Sequence, residues 1–262
     1  NSHGELGRTV IVAATKSAGK DWGAERQPFN VESLDEGKVE SLCSKEPENL
    51  RSMNTKMITR IYPGGLRVDS SNYDPTVSWE MGSQVVALNY QTWDDPMRVN
   101  HGKFAENGHW GYLLKPAHLR DANVPRPTQP KKLRVTVLGG SKLPKSGDGL
   151  MEDTGEDIHP FVKLTLRGAQ QDNAEFKTTT NKRNGNAPRW SESFEFSITE
   201  WDLALLTIRV KSDDVMVSNS LGEFTIGVGK LVSGVKAIPL NSTKTAATVL
   251  PEAKLVCKFE VL

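Results

Sequence analysis

Three prolines fall at Pro125, Pro127 and Pro130, inside the stretch DANVPRPTQPKK that occupies residues 121–132. Proline fixes φ and lacks the backbone N–H, so neither a helix nor a central strand runs through such a stretch. The chain therefore divides there into a predicted domain over residues 1–120, a linker over 121–132 and a second domain over 133–262. With 262 residues, of which 37% are hydrophobic and 25% charged, it has apolar material for two cores of ordinary size.

Before the linker, strand and helix patterns alternate. Residues 9–14 (TVIVAA) are a short apolar run rich in β-branched side chains, and Val39, Leu42 and Cys43 mark the buried stripe of a helix. Residues 57–62 (MITRIY), 84–89 (QVVALN) and 111–115 (GYLLK) are three further predicted strands, each bounded by turn-forming residues. Four parallel strands in this length amount to about half of an eight-stranded α/β barrel of roughly 250 residues. Half a barrel leaves two strand edges unpaired and an interior face open, so it needs a partner segment.

After the linker the period becomes 2. Leu133, Val135 and Val137 alternate with Arg134 and Thr136; Phe194, Phe196 and Ile198 alternate with Glu195 and Ser197; Leu206, Ile208 and Val210 alternate with Thr207 and Arg209. Residues 161–166, 174–179, 222–227, 235–240 and 254–261 complete a set of eight strands, joined by Gly, Asn, Asp and Pro turns. That pattern predicts an all-β, eight-stranded sandwich.

A net charge of +1 provides no long-range field for nucleic acid, so any anion must be held by local basic groups. The two cysteines, Cys43 and Cys257, lie far apart in apolar registers and read as buried free thiols of a reducing, cytoplasmic setting. No run reaches the ~18 to 20 apolar residues of a membrane span. The start, Asn1-Ser2-His3-Gly4, has no initiator Met and no signal-peptide profile, which reads as a piece of something longer.

Four ordered blocks carry a family resemblance: Arg60-Ile61-Tyr62-Pro63, Arg67-Val68-Asp69-Ser70-Ser71-Asn72-Tyr73, Gln84 through Asn89 (QVVALN), and GHWGYLLKP at 108–116. Together they closely resemble the Y region of the eukaryotic phosphoinositide-specific phospholipases C. The second domain, with Asn186-Ala187-Pro188-Arg189-Trp190 and Leu203-Ala204-Leu205-Leu206, resembles the C2 domain that follows Y in that family. The resemblance implies the second half of a (β/α)8 TIM-type barrel followed by an eight-stranded C2 β-sandwich. It also implies a peripheral location at the membrane surface of the cytoplasm.

Three positions match the family's headgroup-binding residues: Ser33, Arg60 and Tyr62. A guanidinium offers a fixed fork of donors to a phosphate, and a tyrosine ring covers the apolar face of an inositol. The plain reading of Ser33-Leu34-Asp35-Glu36 is a capping box with Ser33 as the N-cap of a helix. Taken alone, Arg60 reads as a surface ion-pair partner and Tyr62 as a core residue. Leu66 stands where family members present a large apolar residue to the membrane.

For a complete enzyme the resemblance implies hydrolysis of phosphatidylinositol 4,5-bisphosphate to diacylglycerol and inositol trisphosphate. The inositol 2-hydroxyl attacks the phosphodiester, Ca²⁺ polarises the phosphate, and two histidines handle protons and charge. Those histidines and the Ca²⁺ ligands belong to the family's X half, so no residue here is read as catalytic. A catalytically inactive phosphoinositide-binding scaffold and a C2 membrane-binding module are the alternatives.

Other constellations are weaker. Residues 14–21 (ATKSAGKD) follow a strand like a phosphate loop but lack its first glycine and its Ser or Thr. His101, His109 and His118 have gaps that match no common metal pattern. In the second domain His159, Arg183 and Ser212 stand where Ca²⁺-binding C2 domains use Asp or Asn, and only Asp214 remains of those side-chain ligands. Asp153, Glu156, Asp157 and Asp213 are nearby surplus carboxylates.

Overall fold

The computed structural model describes residues 13–15, 29–145, 157–213, 219–244 and 248–262. The chain divides into two compact units, one of Asn1–Met97 with Leu114–Arg126 and the other of Arg98–Leu113 with Pro127–Leu262.

The first unit is built on a parallel sheet in sequence order, β1 (Ala13–Thr15), β2 (Asn30–Asp35), β3 (Ile58–Tyr62) and β4 (Val85–Val86). Helices α1 (Glu36–Lys45), α2 (Pro47–Lys56) and α3 (Pro75–Glu80) connect the strands. Leu34 on β2 and Ile61 on β3 pack with Val39, Leu50, Met53, Met57, Tyr73 and Met81 into one apolar cluster. Fully burying a leucine or isoleucine of this kind contributes roughly 1.5–3 kcal/mol.

Four strands are present among the described residues, but one of them, β2, is not among those expected, and one expected run, 111–115, is not a strand. β2 has the sequence NVESLD, in which Val31 and Leu34 are the only apolar residues and stand three apart, a helical spacing. It is a strand because the ladders from β1 and β3 on either side satisfy its backbone. The helix begins two residues later than a capping box on Ser33 requires: Asp35 is the N-cap, its carboxylate accepting the Lys38 N–H at 2.9 Å. Residues 111–115, expected as a strand, pair with no strand among the described residues, and Trp110, Tyr112 and Leu114 are each more than 70% exposed. A strand pattern becomes a strand only when a neighbour supplies its hydrogen bonds. Of residues 84–89 only Val85–Val86 are in the ladder, and within 9–14 only the last two positions are described.

The second unit holds all eight expected strands: β5 (Lys131–Ser141), β6 (Pro160–Arg167), β7 (Ala174–Lys177), β8 (Arg189–Ile198), β9 (Leu205–Ser212), β10 (Asn219–Gly227), β11 (Gly234–Asn241) and β12 (Val249–Val261). They form one antiparallel sheet in the order β7-β6-β9-β10-β11-β12-β5-β8. Alternation places Leu133, Val135, Val137, Val162, Leu164, Leu166, Leu206, Ile208 and Val210 in a single core, each fully buried. Side chains seal the two edge strands against each other. Phe176 of β7 lies 5.4 Å from Phe194 and 5.0 Å from Phe196 of β8, ring centre to ring centre. Just beyond β7, Glu192 of β8 accepts the Thr179 N–H and hydroxyl, and the Trp190 indole N–H donates to the Thr179 carbonyl at 2.9 Å. Edge backbone groups that would invite another strand are thereby occupied.

Residues 98–113, which include most of helix α4 (Asp95–Phe104), belong to this unit. Arg98 and Arg209 both pair with the buried carboxylate of Glu223, at 2.8 and 3.1 Å. Both cysteines are free; Cys257 is buried as expected, whereas Cys43 is only half-buried, on the margin of the first core. No helix among the described residues is long and apolar enough to cross a membrane.

Candidate functional site

In the parallel ladder Ser33 of β2 is the register partner of Arg60 of β3, and Asp35 is the partner of Tyr62. Side chains alternate across a strand, so Ser33, Arg60 and Tyr62 share one face while Leu34 and Ile61 point to the helix-side core. Ser33 and Arg60 are exposed on that face and Tyr62 is half-buried. Val85, the partner of Arg60 on β4, is also exposed. The Arg60 guanidinium lies 5.3 Å from the centre of the Tyr62 ring, a cation–π distance that orients both groups. The structure thus brings together all three residues singled out from the sequence, with Tyr62 as the last residue of its strand.

The loop after β3 is held by an ion pair between two residues of the quoted motifs, Glu36 and Arg67. Glu36, in the first turn of α1, accepts Arg67 Nε at 2.6 Å, Arg67 Nη2 at 2.7 Å and the Gly64 N–H at 2.7 Å. The hydrogen bond from Arg67 holds the Glu36 carboxyl below its ordinary pKa, against the opposing effect of burial. Farther along, Asn72 donates its N–H to Asp94 at 2.8 Å and accepts the Asn89 N–H at 2.6 Å, while Asn89 donates to the Ser71 carbonyl. The Tyr73 hydroxyl donates to the Ala87 carbonyl at 3.0 Å, and burial raises its pKa. Asn72, Tyr73, Ala87 and Asn89 all stand in the sequence blocks quoted above, but nothing in those blocks says which residue bonds to which. Between the two anchors Leu66 is 95% exposed.

At the other end of β3 a buried polar group ties the elements together. Asn54 donates to the Met81 carbonyl and accepts the Thr59 hydroxyl, and Gln84 donates to the Asn54 and Met57 carbonyls. Lys115 donates to the carbonyls of Asn54 and Gly82, and burial lowers its pKa to about 8, with Arg120 adding to the effect. These residues support β3 rather than face the exposed surface.

In the second unit, three positions weighed as Ca²⁺ ligands also meet. His159 accepts the Arg183 N–H on Nδ1 at 3.2 Å and donates its own N–H to the Ser212 hydroxyl at 3.1 Å. Arg183 sits at φ 49°, in the left-handed region. Asp214, Asp153 and Glu156 lie outside the described residues. Among the described residues no group of three or more His, Cys, Asp or Glu side chains is placed to hold a metal ion. The imidazole lone pair is engaged by the Arg183 N–H and the serine hydroxyl by the His159 N–H, and these groups do not fit a hard cation that takes six to eight oxygens. The rings of His101 and His109 lie with centres 4.1 Å apart, tilted by 31°, and burial lowers the pKa of His101. His118 belongs to the first unit.

A parallel β/α half-barrel with polar residues near its strand ends, followed by an antiparallel sandwich, defines a two-part class of protein. Comparison with known proteins gives that class its family. Residues 7–118 match the family model for the phosphatidylinositol-specific phospholipase C Y domain, and residues 131–240 match that for the C2 domain. The chain is 36% identical over 266 residues to human 1-phosphatidylinositol 4,5-bisphosphate phosphodiesterase gamma-2, covering 97% of this chain and 20% of that protein. It is 33% identical over 225 residues to mouse inactive phospholipase C-like protein 2, covering 82% of this chain and 20% of that one. The crystal structure of L. pealei PLC21 superposes with a TM-score of 0.81 at 27% identity, over 96% of this chain and 32% of that chain. The chain belongs to the phosphoinositide-specific phospholipase C family, as its Y half-barrel and C2 domain. It spans about a fifth to a third of the length of these relatives.

Proposed function

We propose that this chain supplies the headgroup-binding and membrane-docking part of a phosphoinositide phospholipase C, an enzyme that hydrolyses phosphatidylinositol 4,5-bisphosphate to diacylglycerol and inositol trisphosphate. In this reading residues 1–120 are the Y half of the barrel, 121–132 the linker and 133–262 the C2 domain. The observation that carries it is the register pairing of Ser33 with Arg60, with Tyr62 on the same exposed face. Arg60 binds a ring phosphate through its guanidinium fork, Tyr62 orients that guanidinium and covers the inositol ring, and Ser33 hydrogen-bonds the headgroup. Leu66 enters the lipid surface.

The X half completes the barrel and brings the two catalytic histidines. It pairs with the open edges of the four-stranded sheet, β1 and β4, and covers the face that bears Arg60. Ca²⁺, when bound, would polarise the phosphodiester; the family likeness puts its ligands in the X half, and among the described residues of this chain no group of three or more His, Cys, Asp or Glu side chains is placed to hold it. The protein acts in the cytoplasm, peripherally at the membrane, and this piece has no hydrolase activity unless the X half is supplied.

A second reading is a phosphoinositide-binding scaffold without catalysis, favoured by the 33% identity to a relative named as inactive. The histidines of the X half decide between them. With the X half supplied in trans, Arg60→Ala lowers turnover of phosphatidylinositol 4,5-bisphosphate by ~10-fold or more, because a hydrogen bond to a charged group contributes roughly 1.5–3 kcal/mol. Unchanged turnover removes Arg60 from the headgroup site. A complex that binds the lipid but never hydrolyses it selects the scaffold.

A further inference from the structure

The loop between β3 and α3 carries two large apolar side chains at its tip, Leu66 and Val68, each 95% exposed. No helix or strand organises it. Its shape is set instead by one carboxylate. Glu36 gathers three N–H groups of the loop, two from the Arg67 fork and one from the Gly64 backbone, all within 2.7 Å. Arg67 in turn donates from Nη1 to the Ser71 hydroxyl at 2.9 Å, so the ion pair reaches both sides of the tip. The fit is close: a Cβ at Gly64 would lie 2.9 Å from Glu36 Oε1.

Magnitudes separate two roles for this pair. The Arg67 side chain is 31% exposed and that of Glu36 13%. Pairs that keep contact with water contribute little to overall stability. A bidentate carboxylate–guanidinium contact is nonetheless geometrically specific. Its main effect is to pre-order a loop that would otherwise lose conformational freedom on meeting a surface, and pre-ordering of that kind strengthens binding without adding a contact.

We infer that Glu36 is the positioning residue of the lipid-facing loop, holding Arg67 and Gly64 so that Leu66 and Val68 meet the membrane together. The inference rests on the reading of Leu66 as a membrane contact given above. Glu36 itself touches no lipid, and the same carboxylate links the first turn after the Ser33 strand to the loop after the Arg60 strand.

The test is partition of the full chain onto phosphatidylcholine vesicles containing phosphatidylinositol 4,5-bisphosphate, with amide hydrogen exchange over residues 63–71 as a second readout. Glu36→Gln and Arg67→Gln each weaken partition by about 5-fold, the size expected when a few side chains must be ordered on binding. Exchange at Gly64 rises in both, while the melting temperature stays close to that of the parent. Combining the two substitutions weakens partition no further, and Glu36→Asp, which keeps the charge, recovers part of the loss. Leu66→Asp weakens partition at least as much. If Leu66→Asp weakens partition while Glu36→Gln and Arg67→Gln leave it unchanged, the inference is wrong and the membrane reading stands. If Leu66→Asp changes nothing, both fall. Arg67→Gln, outside any helix, carries the test if Glu36→Gln fails to fold.

Discussion

Gly102 of α4 lies so close to Thr225 of β10 that no side chain can stand at position 102. An added Cβ would fall 2.5 Å from Thr225 Cβ, nearer still to its Cγ2, and 3.3 Å from the Thr225 carbonyl carbon. Exchanging an interior helical glycine for alanine otherwise stabilises by about 1 kcal/mol. Overpacking typically costs roughly 1–3 kcal/mol, and here the backbone is part of the obstacle. Gly102→Ala should therefore lower the melting temperature of the chain by several degrees, read by circular dichroism. An unchanged or higher value would show that α4 slides on the sheet without penalty.

Residues 1–120 expressed alone should fail to form a stable domain. The face bearing Arg60 and Val85 is exposed, β1 and β4 are sheet edges among the described residues, and Tyr112 and Leu114 have no strand partner there. The same cut also removes the β10 surface on which Gly102 sits. Binding of a hydrophobic dye and a broad, non-cooperative melt are expected. A sharp melt of a monomer would refute the prediction.

Acid should release the loop that Glu36 holds. The Glu36 carboxyl has a folded-state pKa below its ordinary value of 4.5, first through the Arg67 hydrogen bond and then through the Gly64 N–H, with burial opposing. A depressed carboxylate pKa contributes stability that is present above the unfolded value and lost as pH falls through the folded one. Protection of the Gly64 amide should hold from neutral pH down to about 4.5 and fall below it. In Glu36→Gln that amide should show no such step beyond the intrinsic pH dependence of exchange. A step persisting in the variant would assign it to another group.

Calorimetric titration of the full chain with Ca²⁺ should show no saturable binding at micromolar concentration. The family likeness places His159, Arg183 and Ser212 where Ca²⁺-binding C2 domains use Asp or Asn, and His159 accepts the Arg183 N–H and donates its own to the Ser212 hydroxyl. A guanidinium at the rim also repels the cation. Saturable uptake, abolished by Asp214→Asn, would mean that the surplus carboxylates build a site of a different kind.

Much of the architecture was legible before any coordinates. Each of the eight sandwich strands lies on a run expected to be one, three of them from period-2 alternation, which records directly that one face of an antiparallel sheet is buried, and five from apolar runs between turn residues. The half-barrel was harder to read. β2 carries the polar sequence NVESLD and is a strand through its two neighbours, while residues 111–115 have the pattern and lack the neighbour. Ser33, Arg60 and Tyr62 were found by family likeness, since a serine before an acidic run and an arginine in a strand have ordinary meanings on their own.

By itself the sequence determined the strand pattern of the sandwich and, through motif order, the family likeness that names Ser33, Arg60 and Tyr62 as candidates. The single division expected at the prolines differs from the observed one, in which residues 98–113 join the second unit. The strand pattern and the motif likeness rest on local rules, the side-chain period of a strand and motif order along the chain. Only the tertiary structure decided that Ser33 and Arg60, 27 residues apart, are register partners, that Asp35 rather than Ser33 caps α1, and that Glu36 reaches across 31 residues to hold Arg67. Register and long-range pairing depend on which backbone groups and charges remain unsatisfied once the sheet has assembled, and no short window of sequence contains that information.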